Sequence, residues 1–175
     1  MSRILVSVMP FAGHVAPVTG VVAELVARGH RVTVYTGSRY VARFESLGAA
    51  TLPWSAAADF DEHDLPATFP RVGRRGPLGV LANLEHIFIR TGTGQARDMA
   101  AAHQAEPFDL IVGDVLSLGT GLAAELLGLP WVTLSIVPLS LPSVDLPALG
   151  GAPAAVRLIE NLISSGEPVL REASP

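Results

Sequence analysis

Cysteine is absent from the chain, which excludes disulfides, thiolate nucleophiles and cysteine-ligated metal sites. Lysine is absent as well, since all twelve basic residues are arginine. That removes Schiff-base chemistry and the phosphate-cradling P-loop, both of which require a lysine. Charge is sparse at 16% of residues, and the formal net charge is −4, with no basic run to follow a nucleic-acid backbone. No apolar stretch reaches the ~20 residues of a membrane span. Met1-Ser2-Arg3 leads directly into an apolar segment, without the long apolar region and cleavage site of a secretory leader. A soluble, cytoplasmic protein with neither nucleic acid nor membrane as partner is expected.

What is present is an alternation of short apolar runs with helical patterns, over 175 residues of which 49% are apolar. Ile4 to Met9 reads as a fully buried parallel strand. Pro17 to Arg28 reads as a helix with Val18, Val21, Val22, Leu25 and Val26 on one face, ended by Gly29. Arg31 to Thr36 predicts a second strand, Arg39 to Leu47 a helix capped by Ser38 and ended by Gly48, and Thr51 to Trp54 a third strand. From Ser55 to Gly76 the chain turns polar and aperiodic, as a binding loop or a mobile one would. Pro77 to about Gln104 is helical, with a break expected near Gly92 and Gly94. Leu110 to Val112 is a fourth strand ending at Gly113-Asp114. Ser117 to Leu127 is helical with Gly128 as its cap, and Trp131 to Ser135 is a fifth strand. A Pro-rich loop, a helix around Ala154 to Ile163 and a frayed tail follow. This order predicts a doubly wound, mostly parallel α/β sheet of Rossmann type with helices on both faces and strand order 3-2-1-4-5.

That strand order makes strands 1 and 4 neighbours, about 4.8 Å apart. Their carboxyl tips carry His14 and Asp114, at the topological switch point where open α/β sheets bind ligands. A carboxylate beside an imidazole fixes its tautomer and stabilises the imidazolium formed when it takes a proton. There is no Gly-x-Ser-x-Gly elbow to supply a serine nucleophile, so the pair would act on an external hydroxyl as a general base. The blander reading gives His14 a backbone carbonyl as partner and makes Asp114 the cap of the next helix. Joint placement at the switch point favours function.

The run Met9-Pro10-Phe11-Ala12-Gly13-His14-Val15-Ala16-Pro17, followed by Ala27-Arg28-Gly29-His30-Arg31-Val32-Thr33, resembles the opening of inverting GT-B-fold glycosyltransferases that use nucleotide sugars, above all the bacterial natural-product type. Asp59-Phe60-Asp61 through Phe69-Pro70-Arg71, Phe108 to Asp114 and Gly128 to Ser135 fit the same pattern in the same order. The resemblance implies that His14 is the catalytic base and Asp114 its orienting partner. It implies a small hydrophobic aglycone as acceptor, held by Phe11, Gly13, the Asp59 to Arg71 loop with Phe60 and Phe69, the Leu84 to Ile89 stretch with Phe88, and Ile136, Val137 and Pro138 within Ile136 to Leu141. An NDP-sugar is implied as co-substrate, with no cofactor and no metal. The family places nucleotide recognition in a second, C-terminal lobe, which the 175 residues do not contain. The chain therefore reads as a single N-terminal acceptor-binding domain over residues 1–175. Alone, it is expected to be inactive and to self-associate or depend on a partner chain. A non-catalytic glycosyltransferase-like partner and a small-molecule binding module are the competing classes.

Other candidates are weaker. Gly92-Thr93-Gly94-Gln95 follows no strand and has Arg97 where a dinucleotide fingerprint needs its third glycine. Asp59, Asp61, Glu62, His63 and Asp64 form an acidic run read as a solvated loop rather than a metal site. His30 reads as structural, His86 and His103 as surface or cleft residues, Glu24, Arg28 and Arg31 as solvent-facing charges, and Asp145 as a residue of the Pro-rich loop that could line the acceptor cleft.

Overall fold

The computed structural model describes residues 1–73, 75–135 and 152–166. Strand β1 (Arg3–Ser7) leads into helix α1 (Ala12–Ala27), and β2 (Arg31–Thr36) follows. A 3-10 turn (Ser38–Tyr40), α2 (Val41–Glu45) and β3 (Ala50–Pro53) come next. The long intervening region holds α3 (Leu65–Thr68), α4 (Pro77–Asn83), a π-helical segment (Leu84–Ile89) and α5 (Arg90–Ala105). Strand β4 (Leu110–Asp114), α6 (Gly119–Leu127), β5 (Trp131–Leu134) and α7 (Ala152–Ser165) complete the described elements. The strands form one parallel sheet ordered β3-β2-β1-β4-β5, the predicted order. Ser7 is in register with both Tyr35 and Gly113, so the tips of β1, β2 and β4 end level with one another.

Alternation along the central strands divides the core in two. Ile4, Val6, Val34, Leu110 and Val112 pack on one face with Val15, Val18, Val22 and Leu25 of α1 and with Val156 and Ile159 of α7. Leu5, Met9, Tyr35 and Ile111 pack on the other with Trp54, Phe60, Phe69, Ile87 and Met99. Gly128 ends α6 at φ 64, a left-handed cap that only glycine adopts at no steric cost. Exposed apolar side chains Leu118, Leu122 and Leu126 line one side of α6, and the Trp131 ring lies close to Gly121. Among the described residues no helix is long and apolar enough to cross a membrane.

Several local expectations are corrected. Helix α1 starts at Ala12, not at Pro17, because extended Phe11 presents its carbonyl to the N–H groups of His14 and Val15. Pro17 is tolerated inside it because the carbonyl it cannot reach, that of Gly13, lies in the exposed first turn. Ser38 does not cap α2 through its side chain; it opens a 3-10 turn, and its N–H donates to Asp59. No break occurs at Gly92 or Gly94, since α5 runs through both. A Cβ on Gly94 would stand 2.6 Å from the Ala56 oxygen and the Ala57 Cα, so this glycine lets the loop lie directly on the helix. The irregularity sits earlier, in the π-helical Leu84–Ile89. The stretch after β3 is aperiodic as read, yet Ala57, Phe60, Phe69 and Val72 within it are buried.

Candidate active site

His14 stands in the first turn of α1 and Asp114 at the last residue of β4. The imidazole Nδ1 and the carboxylate Oδ2 are 2.6 Å apart, a charge-assisted contact across a hundred residues of sequence. The Asp114 side chain is fully buried, while that of His14 is 13% exposed. Since a carboxylate only accepts, the hydrogen of this contact is carried by Nδ1, and in the neutral form of the ring Nε2 is the nitrogen with a lone pair.

Asp114 is itself held from three directions. The Met9 N–H donates to Oδ2 at 3.1 Å and the Leu116 N–H to Oδ1 at 3.2 Å. Its backbone carbonyl accepts the Ser117 N–H at 2.8 Å. The carboxylate thus holds the turn after β4 and the imidazole together; it does not cap α6, whose N-cap is Leu118 without a side-chain hydrogen bond.

Beneath the pair runs a buried polar chain that the sequence did not reveal. The Ser7 and Ser117 hydroxyls lie 2.5 Å apart, and Ser117 donates to Gln95 Oε1 at 3.1 Å, so Ser7 is the donor to Ser117. Gln95 Oε1 also accepts the Gly119 N–H, and Gln95 Nε2 donates to Thr91 Oγ1. Both ends of this fully buried amide are therefore satisfied, and β1, the β4–α6 turn and α5 are locked together. Serine, threonine and glutamine spaced through helices and turns carry no pattern that marks them from sequence.

A second buried group was missed for the same reason. The Asp98 carboxylate accepts the Tyr35 hydroxyl at 2.7 Å and the N–H groups of Ser55, Ala56 and Ala57 at 2.7–3.2 Å. Burial pushes the Asp98 carboxyl up. The N–H groups of Ala56, Ser55 and Ala57 and the Tyr35 hydroxyl together outweigh burial and hold it below the ordinary carboxylate range.

The aromatic candidates converge in part. The Phe11 ring lies 5.7 Å from the His14 ring, 5.1 Å from Phe60 and 5.9 Å from Phe88. Phe60 continues inward to Trp54 and Phe69. Phe60 and Phe69 are only 5% and 9% exposed and belong to the core, whereas Phe11 and Phe88 are half-buried. Gly13 is open, with nothing within 4 Å of where a Cβ would stand. Ile136, Val137, Pro138 and Asp145 lie outside the described residues.

The acidic run is more than a solvated loop. Asp59 accepts the Ser38 N–H, Arg39 pairs with Asp61 at 2.6 Å, and Glu62 accepts the Ala12 N–H at 2.9 Å and the Tyr40 hydroxyl. Each contact ties the loop to the carboxyl edge of the sheet. Among the described residues no group of three histidine or acidic side chains is placed to hold a metal ion. His30 and Arg28 both meet Glu160 of α7, and His103 accepts the Phe108 N–H, which are structural uses. His86 is half-buried and lines a cavity with Arg71, Leu78 and Ala82.

No protein-family model matches the chain. Among curated proteins, 4'-demethylrebeccamycin synthase of Lentzea aerocolonigenes is 34% identical over 160 residues, which cover 90% of this chain and 38% of that protein. UDP-glucosyltransferase B1 of Starmerella bombicola is 28% identical over 171 residues, 88% of this chain and 37% of that protein. The solved structure of CalG4, the calicheamicin glycosyltransferase, superposes with a TM-score of 0.64 at 23% identity, over 95% of this chain and 43% of that one, a likeness of fold. The chain spans about two-fifths of the length of the relatives it matches. Over that length it is homologous to natural-product glycosyltransferases of the GT-B, family 1 type, and corresponds to one of their lobes.

Proposed function

We propose, from this homology to one lobe and from the His14–Asp114 pair at its edge, that the chain is the acceptor-side lobe of an inverting glycosyltransferase. The acceptor hydroxyl lies against His14 Nε2. The imidazole takes its proton as the oxygen attacks the anomeric carbon of an NDP-sugar. The bond from that carbon to the diphosphate oxygen breaks on the opposite side, the nucleoside diphosphate leaves, and the configuration inverts. Asp114 holds the Nδ1 hydrogen and stabilises the imidazolium as it forms. The diphosphate is bound by a second, donor-binding lobe.

The observation that carries this reading is the 2.6 Å contact between a buried carboxylate and an imidazole left open on one side. The acceptor is a small hydrophobic molecule, because the half-buried rings of Phe11 and Phe88 adjoin the base and offer contact area at low entropy cost. Phe60 and Phe69 back that wall from behind.

The test joins this chain to a donor-binding lobe, or mixes the two, and follows sugar transfer to an aromatic aglycone. His14→Ala should lower kcat by about 10²–10⁴-fold, the usual contribution of a general base, with acceptor affinity within about threefold of the parent. Turnover of His14→Ala within a few-fold of the parent would remove His14 as the base.

A further inference from the structure

We infer that Glu62 is a positioning residue for His14, capping in trans the helix that carries it; the inference rests on the reading of His14 as the base. Helix α1 lacks the usual local supports at its start. Phe11 occupies the N-cap without a side-chain hydrogen bond, and the first turn contains no acidic residue. Gly13 lies in that turn, and Pro17 cannot donate to its carbonyl. A turn built this way frays unless something outside the helix holds its N–H groups.

Glu62 is that support. Its Oε2 accepts the Ala12 N–H at 2.9 Å, and its Oε1 accepts the Tyr40 hydroxyl. A carboxylate at this point also faces the positive end of the helix dipole. Arg39, paired with Asp61, and the imidazole of His63 are neighbours on the same side. Burial pushes the Glu62 carboxyl up, but the Tyr40 and Ala12 donors and these two neighbours bring it below the ordinary range. Tyr40, raised by burial and by Glu62 to about 12, remains a proton donor throughout the neutral range. Two residues before Glu62, Phe60 packs its ring on Phe11. The loop therefore grips α1 at the N-cap and at the first N–H, two residues from the imidazole. Loop seating and base alignment are one mechanical unit, so an acceptor that presses on the loop wall also sets the base.

The test reads the imidazole directly in the ¹⁵N-labelled full chain. In the parent, His14 should show a single tautomer with Nδ1 protonated. Glu62→Ala should convert this to an averaged signal and speed amide exchange over residues 12–15 by about fivefold, the scale of a lost helix cap. Glu62→Gln, whose amide oxygen can still accept the Ala12 N–H, should restore the single tautomer and most of the protection. Tyr40→Phe, which leaves the carboxylate without its second anchor, should move both readouts in the same direction by less. Unchanged readouts in Glu62→Ala overturn the inference, and should that variant not fold, unchanged readouts in Tyr40→Phe overturn it. Asp114→Asn is measured alongside. A spectrum that responds to Asp114→Asn but not to Glu62→Ala overturns the role of Glu62 alone, and one that responds to neither overturns the pair beneath both readings.

Discussion

The two faces of the sheet are built on different principles. Toward α1 and α7 the core is mostly aliphatic, with Ile4, Val6, Val34, Leu110 and Val112 meeting a stripe of valines and Leu25, and Phe44 as its buried ring. On the opposite face the core is aromatic and laced with buried polar groups, Ser7, Tyr35, Thr91, Gln95, Asp98 and Ser117. The aliphatic face gains stability by removing apolar area from water, which is non-directional. The aromatic face adds a requirement for geometry, because Asp98, Gln95, Ser7 and Ser117 are each held by placed partners, although the buried Trp54 indole N–H has none. The candidate base stands where the two meet, on the helix of the first face and in ring contact with the aromatic wall of the second. The dry face holds the helix in place, and the polar face sets the turns and loop around it.

The sharpest way to break this comparison is at Asp98. Asp98→Ala leaves four donors without their acceptor, three of them N–H groups of the loop after β3. It should cost about 4 kcal/mol in urea unfolding, more than a single neutral hydrogen bond, because the lost acceptor is charged and its donors are stranded. Amide exchange at residues 55–57 should rise before global unfolding begins. The matching change on the dry face is Leu25→Ala, which removes a fully buried side chain and should cost about 3 kcal/mol by transfer and cavity together. Leu25→Met should recover most of that loss, since the site requires volume and not geometry. If Leu25→Met were as damaging as Leu25→Ala, the supposed difference between the faces would vanish.

The same difference explains what could be read from residues alone. The valines of α1, the alternation of β2 and the apolar run of β1 announce the dry face, because hydrophobic periodicity is written directly in sequence. Strand order then followed from connectivity, and with it the adjacency of His14 and Asp114. The polar face is almost silent in sequence. Gln95 sits within a helix where a glutamine is expected on the surface, and Gly94 reads as a helix breaker until the loop lying against it is seen. Asp98 looks like any helical acid, and only the fold brings Tyr35 and the loop amides to it from more than forty residues away. Phe60 and Phe69 illustrate the converse. Aromatic side chains in an aperiodic loop suggest a ligand wall, yet a loop without ladder bonds must also bury apolar area to stay in place, and these two do that.

A smaller and more discriminating effect is the pH dependence of the polar face. The Asp98 carboxyl lies below its ordinary range in the folded protein and near about 3.9 in the unfolded chain. A depressed carboxyl stabilises the fold fully above the unfolded value, and that contribution is lost as pH falls through the folded one, because the unfolded chain then binds the extra proton. Asp61, Glu62, Glu85 and Glu160 are depressed too, so acid sensitivity of the parent alone would not identify Asp98. The difference between the parent and Asp98→Asn cancels those shared groups. That difference should be constant from neutral pH down to about pH 5 and shrink below about pH 4, measured as paired urea midpoints at each pH. The parent–Leu25→Ala difference should stay flat over the whole range, since no proton is bound or released at an aliphatic contact. A parent–Asp98→Asn difference equally flat would mean that the carboxylate holds the loop by shape alone and that its charge adds nothing.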